Sequence, residues 1–146
     1  MSLKVDNEAE LREARNSLFS ENGTTSGWLL LNYVGASTVH FTAGGEGGVE
    51  NIVPLLEDDQ IQYALVRIDG VQGDGAGETT VRDVFLAWIG PEVGMIEKSK
   101  KSGYLGDAQI ILQPYHADVT VVNKDRLNRE TLLDKSQPLS DSHVID

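Results

Sequence analysis

The chain of 146 residues contains no cysteine, which excludes a disulfide framework, a thiolate metal site and a cysteine nucleophile. Basic side chains are scarce: 12 Lys and Arg stand against 23 Asp and Glu, a net charge of −11 at pH 7. A field of that sign repels phosphate backbones and anionic lipid, so general nucleic-acid or membrane-surface binding is disfavoured. No apolar run approaches the roughly 20 residues needed to cross a bilayer. Residues 1–6 (MSLKVD) turn polar at once, with no secretory apolar segment. Histidine is scarce too: His40, His116 and His143 fall in separate predicted elements at no metal-ligand spacing. No Gly-x-Ser-x-Gly elbow is present. What remains is the expectation of a soluble, intracellular, acidic single domain. A chain of this length buries roughly two-thirds of the surface its unfolded form exposes, enough for a core without staples.

The negative charge is unevenly distributed. Residues 1–60 carry three basic and ten acidic side chains, whereas 91–136 carry seven of each. A locally basic region on an acidic body fits docking onto an acidic protein surface, and it fits solvated helix faces equally.

Periodicity predicts the order α-β-β-α-β-β-α-β-α. Residues 6–20 (DNEAELREARNSLFS) read as an amphipathic helix, with Asn7 and Glu10 spaced for a capping box and Asn22-Gly23 as the closing turn. Segments 28–34 and 37–42 read as strands joined by Gly35-Ala36. Segment 49–59 reads as a short helix disturbed by Pro54. The most apolar runs, 61–68 (IQYALVRI) and 81–89 (VRDVFLAWI), predict central strands around a glycine-rich acidic loop. Pro91 opens a helix expected from about 92 to 113, weakened by Gly103 and Gly106. A fifth strand at 118–122 follows, then a last helix over 124–135 with Asn123 as its N-cap. The domain is expected to span 1–136, and 137–146 to form a disordered polar tail.

Candidate chemistry is thin. Gly73-Asp74-Gly75-Ala76-Gly77 lacks the Lys-Ser/Thr ending of a phosphate loop and is flanked by carboxylates that repel phosphate. Asn22-Gly23-Thr24 matches a glycosylation sequon that an unexported protein never presents. Trp28 and Trp88 sit at the ends of strongly apolar strands and read as core. Lys98, Lys100 and Lys101 cluster on the predicted long helix. Lys98 and Lys101 share a face, Lys100 lies about 200° from Lys98, and Ile96, Tyr104 and Leu105 supply neighbouring apolar surface. They read as an interface or as a solvated lysine face. Nothing supports catalysis.

At Trp88-Ile89-Gly90-Pro91-Glu92, ending a central strand before a basic helix, the sequence resembles the actin-depolymerising-factor (ADF, cofilin-type) homology domain. Val5-Asp6, Trp28, Tyr33-Val34-Gly35, Val66-Arg67, Lys98-Ser99-Lys100 and Asp118-Val119-Thr120-Val121 add to the likeness over roughly residues 4–136. Within that family it is most similar to coactosin-like proteins. The resemblance implies an α/β (α+β) single domain with a central mixed five-stranded sheet flanked by helices. It also implies a non-enzymatic, cofactor-free and metal-free monomer in the cytoplasm and cytoskeleton. Its partner would be actin, bound along filament sides without strong severing, with monomers as a further target. Carried over by position, one actin-binding site falls on Lys98, Lys100 and Lys101. The filament-specific second site falls on Arg82 with Lys124, Arg126 and Arg129.

Two departures from the family pattern bear on affinity. Glu78-Thr79-Thr80 precede a single Arg82 where relatives carry several cations. Each lost cation weakens binding by about 1 kcal/mol if its contact is partly buried, and by less if exposed. Gly103 and Gly106 each cost about 1 kcal/mol against alanine and predict a kinked or shortened helix. The alternatives are a cofilin-like regulator, a glia-maturation-factor-like ligand of an actin-related nucleator, and an acidic regulatory partner of an enzyme. Convergence of Lys98, Lys100, Arg82 and Arg126 on one side favours actin, and scatter favours the acidic partner.

Overall fold

A computed structural model describes residues 2–20, 25–72 and 79–146. The Asn22-Gly23 turn, the sequon and the 73–78 part of the glycine-rich loop lie outside the described residues. Strands β1 (Lys4–Val5), β2 (Gly27–Gly35), β3 (Thr38–Gly45), β4 (Ile61–Gln72), β5 (Thr79–Ile89), β6 (Ala117–Val121) and β7 (Val144–Ile145) form one mixed sheet in the order β1-β3-β2-β4-β5-β6-β7. The pairs among β3, β2, β4 and β5 are antiparallel. The β1–β3, β5–β6 and β6–β7 pairs are parallel.

Side chains alternate across the sheet, so each strand feeds two cores. Helices α1 (Glu8–Leu18), α2 (Met95–Ser102) and α3 (Leu105–Leu112) lie over one face. There Leu29, Leu31, Tyr63, Leu65, Phe85 and Ala87 meet Leu11, Ala108 and Leu112. On the other face Leu30, Val66, Val84, Leu86, Trp88 and Val121 meet Val49, Ile52 and Leu56 from the β3–β4 connection, with Leu127 and Leu132 beyond. Strands buried on both faces must be apolar at nearly every position, and that is why 61–68 and 81–89 read as continuous runs. Trp28 and Trp88 are both core, at 8 % and 2 % exposure.

Several expectations need correction. The sheet has seven strands, not five: β1 and β7 are two-residue edge strands, too short to leave a periodic signal. The 137–146 segment, read as a disordered tail, ends in β7 against β6, with Ile145 buried and the Val122 N–H donating to its carbonyl at 2.9 Å. One apolar side chain meeting a strand edge suffices to dock it. The helix expected over 92–113 is two, interrupted at Gly103-Tyr104. The last helix is also divided. Asn123 caps only a 3-10 turn at Lys124–Arg126, Leu127 turns extended to reach the core, and α4 (Arg129–Lys135) starts with a capping box of Asn128 and Thr131. Segment 49–59 holds two 3-10 turns, Val49–Asn51 and Val53–Leu55. Asn7 does not cap α1 through its side chain. Its amide instead donates to the Phe41 carbonyl and accepts from the Phe41 N–H, at 3.0 and 2.9 Å, binding the helix entry to β3.

The far end of α1 is held by charge. Arg67 of β4 forms a two-pronged pair with Asp83 of β5 at 2.7 and 3.0 Å, and its guanidinium also donates to the Phe19 and Ser20 carbonyls. Both side chains are at least nine-tenths buried. Among the described residues, no helix is long and apolar enough to cross a membrane.

Candidate functional site

The start of α2 is positioned by the β5 exit. Trp88 donates its indole N–H to the Glu57 carbonyl at 2.8 Å. Gly90 N–H donates to the Gln60 carbonyl and Glu92 N–H to the Asp58 carbonyl, at 3.0 and 2.8 Å. A Cβ at Gly90 would lie 2.1 Å from the Asp58 oxygen, so only glycine permits this approach. Val93 then buries itself in the core. The Trp-Ile-Gly motif is therefore the anchor of α2 and not itself a contact surface.

Helix α2 buries none of its residues. Met95 and Ile96, at its first two positions, are 85 % and 75 % exposed. Lys98 and Lys100 are exposed, and neither side chain has a hydrogen bond or ion pair among the described residues. Lys101 differs. Its ammonium donates to Glu97 at 3.0 Å and lies 4.1 Å from the centre of the Tyr33 ring. Tyr33 in turn bonds Tyr63, hydroxyl to hydroxyl, at 2.6 Å. Burial first, and then that hydrogen bond, push the Tyr33 phenol far above its usual pKa. Burial raises the Tyr63 phenol as well, with the Tyr33 bond acting in the opposite sense. Both hydroxyls therefore stay neutral through the physiological range. Lys101 belongs to this structural cluster, and Lys98 and Lys100 are the cations available to a partner. An open groove of about 530 Å³ runs between the Gly35-Ala36 turn and α2, lined by Ile96, Glu97, Lys100 and Lys101.

The second predicted group lies on the opposite face of the sheet, and its cations are engaged. Arg82 donates to the Leu133 carbonyl and the Ser136 hydroxyl, at 3.3 and 3.0 Å, fastening α4 to β5. Lys124 bonds the Leu56 carbonyl at 3.2 Å and pairs with Asp58 at 3.2 Å. Arg126 reaches the Asp146 backbone carbonyl at 3.2 Å. Arg129 bonds the Asp69 carbonyl and faces its carboxylate at 3.8 Å. Lys98, Lys100, Arg82 and Arg126 thus form two groups rather than one patch. By charge placement alone, this is the scatter that favours an acidic-partner reading. Arg126 and Arg129 keep exposed side chains, whereas Arg82 and Lys124 are half-buried.

Each histidine has a local partner. His40 faces Asp6 at 2.6 Å, His116 accepts from the Asp83 N–H at 2.9 Å, and His143 contacts the Lys135 carbonyl at 2.6 Å. Sequence reasoning named Ile96 but missed Met95. The available signal was that MIEKSKKS has no stripe to bury, so the two apolar residues at its start have nothing to pack against.

Comparison with known proteins adds what the geometry leaves open. The family model of cofilin/tropomyosin-type actin-binding proteins matches residues 4–137. Coactosin of Dictyostelium discoideum is 26 % identical over 127 residues, covering 86 % of this chain and 84 % of that protein. The drebrin-like protein of Mus musculus is also 26 % identical over 126 residues, but the match spans only 28 % of its length. Among solved structures, human coactosin-like protein superposes with a TM-score of 0.73 at 20 % identity, over 90 % of this chain and 86 % of that one. Coactosin from Entamoeba histolytica gives 0.72 at 18 % identity, over 90 % and 92 %. Mouse coactosin, described as an actin filament binding protein, gives 0.66 at 18 % identity, over 91 % and 89 %.

Proposed function

The chain belongs to the family of cofilin/tropomyosin-type actin-binding proteins, and from that premise we propose that it binds actin along the sides of filaments, through the start of α2. The observation that carries this reading is the surface of that helix. Met95 and Ile96 stand exposed beside Lys98 and Lys100, cations with no partner among the described residues. An apolar pair flanked by unpaired cations fits a partner that offers an apolar cleft within an acidic surface. Mouse coactosin, with the same fold, is an actin filament binding protein.

The protein acts by binding, as a monomer in the cytoplasm and cytoskeleton, without catalysis. Few cations work for it, because the whole domain carries −11 and repels an acidic partner at long range. Attraction is local, so affinity is modest and falls as salt shortens the roughly 10 Å screening length. Severing requires a second firm grip. The engagement of Arg82 with α4 and of Lys124 with Asp58 supports a weak second contact, made by Arg126 and Arg129. Co-sedimentation with filamentous actin across a salt series tests the reading. Binding that weakens with salt, with filament lengths unchanged by microscopy, is the expected result. No pelleting at low salt refutes actin-side binding, and shortened filaments at neutral pH point to a cofilin-like activity.

A further inference from the structure

The break between α2 and α3 leaves a half-open cavity of about 210 Å³ beneath the two helices. Ile61 and Tyr63 of β4 and Ala87 and Ile89 of β5 line its sheet side together with Thr120 of β6, and Leu105 of α3 adds an apolar wall. Lys98, Lys101 and Ser102 come from the helix above. Protein interiors rarely leave voids larger than a water molecule, because an unfilled apolar surface forfeits its dispersion contacts. Here the floor belongs to the core, while the helix above contributes no buried residue. The cavity is apolar, it opens to solvent, and a cation stands at its mouth.

We propose that this cavity binds an amphiphilic monocarboxylate, with the aliphatic tail on the Ile61–Tyr63–Ala87 floor and the carboxylate paired with Lys98. Three observations select that chemistry. The lining holds no carboxylate, so an anion meets no repulsion from the walls. Of its two ammonium groups, Lys101 is already occupied by Glu97 and the Tyr33 ring, which leaves Lys98 for a single negative charge. The Tyr63 hydroxyl is engaged with Tyr33, so Tyr63 presents ring carbon, and the other hydroxyl-bearing side chains of the lining, Ser102 and Thr120, are neutral. Size sets the tail. An apolar cavity of about 150 Å³ accepts benzene, so this one takes about eight carbons. The site needs no actin, and it stands or falls independently of the filament reading.

Octanoate titrated into the full chain, followed by backbone amide shifts, tests the proposal. Saturable shifts at Tyr63, Ala87 and Leu105 are expected, with octanol binding at least tenfold more weakly and Lys98→Glu losing at least tenfold in affinity. Ala87→Leu fills the floor and should abolish binding. Because a larger side chain there can also disturb the core, Ser102→Leu at the exposed rim provides an independent block. Shifts that never saturate, shifts scattered over other surfaces, equal binding of octanol, or undiminished binding by folded Ser102→Leu would each overturn it.

Discussion

Ile145 lies in the segment whose composition reads as a disordered tail, and truncating it to alanine decides between that reading and the fold. Its side chain is 2 % exposed and belongs to the same core as Val119, Val121, Leu127 and Leu132. Ile145 pairs with Val121 across the parallel β6–β7 ladder. Ile145→Ala removes three carbons. At about 0.8 kcal/mol per buried CH₂, the transfer loss alone is about 2.4 kcal/mol. A residual cavity adds to this, and core Ile→Ala changes span about 2–5 kcal/mol. An edge strand relaxes more readily than a central one, which places the expected loss at about 2–3 kcal/mol. Val144, one residue earlier and 36 % exposed, serves as the control, with a loss within about 0.5 kcal/mol. Urea unfolding of both variants measures the difference. Thermal melts should show it as roughly 2–4 °C per kcal/mol. If Ile145→Ala unfolds at the wild-type midpoint, β7 is not docked in solution and the reasoning from burial is wrong.

Reversing Lys98 and Lys100 to Glu should weaken filament co-sedimentation more than Lys4→Glu, and equal losses would mean that only net charge matters. Met95→Ser with Ile96→Ser should cost more than about 1 kcal/mol of binding, roughly a fivefold or greater loss, with an unchanged melting temperature because both residues are exposed. Asp83→Ala leaves Arg67 buried without its carboxylate and should destabilise by about 3–5 kcal/mol, whereas joint replacement of the pair by Met and Leu should recover most of that in denaturant unfolding. The raised Tyr33 and Tyr63 pKa values make folding favour neutral phenols. That contribution is fully present below the unfolded tyrosine pKa of about 10 and is lost as pH rises beyond it. Alkaline titration of stability should therefore fall above about pH 10, less steeply in Tyr33→Phe.

The central sheet and the candidate helix were legible for different reasons. Runs 61–68 and 81–89 announce β4 and β5 because both faces of those strands are covered, which forces nearly every residue to be apolar. The lysine cluster was legible as a pattern, but its division was not. Glu97, four residues before Lys101, was the one local sign that Lys101 differs from Lys98 and Lys100, whereas its contact with Tyr33, far back in the chain, left no trace in KSKK. The same holds for Arg82, whose partners Leu133 and Ser136 lie 51 and 54 residues away. The cavity under α2 was illegible as well, since it arises from a helix break meeting Ala87 on a different element.

By itself the sequence determined an acidic single domain without cysteine chemistry, the strands of the inner sheet, the core placement of both tryptophans, and the family. Each of these is carried by local periodicity, composition or motif order, which the chain expresses without folding. Tertiary structure alone decided that β1 and β7 close the sheet edges, that Asn7 binds β3 in place of capping α1, and which cations stay free. Those outcomes are set mainly by contacts between distant residues, from 20 positions apart for Arg126 with Asp146 to 104 for the Leu3 N–H donating to the Asp107 carboxylate. A short strand or a lysine has no sequence signature for such a contact, because the partner that satisfies it exists only once the sheet has formed.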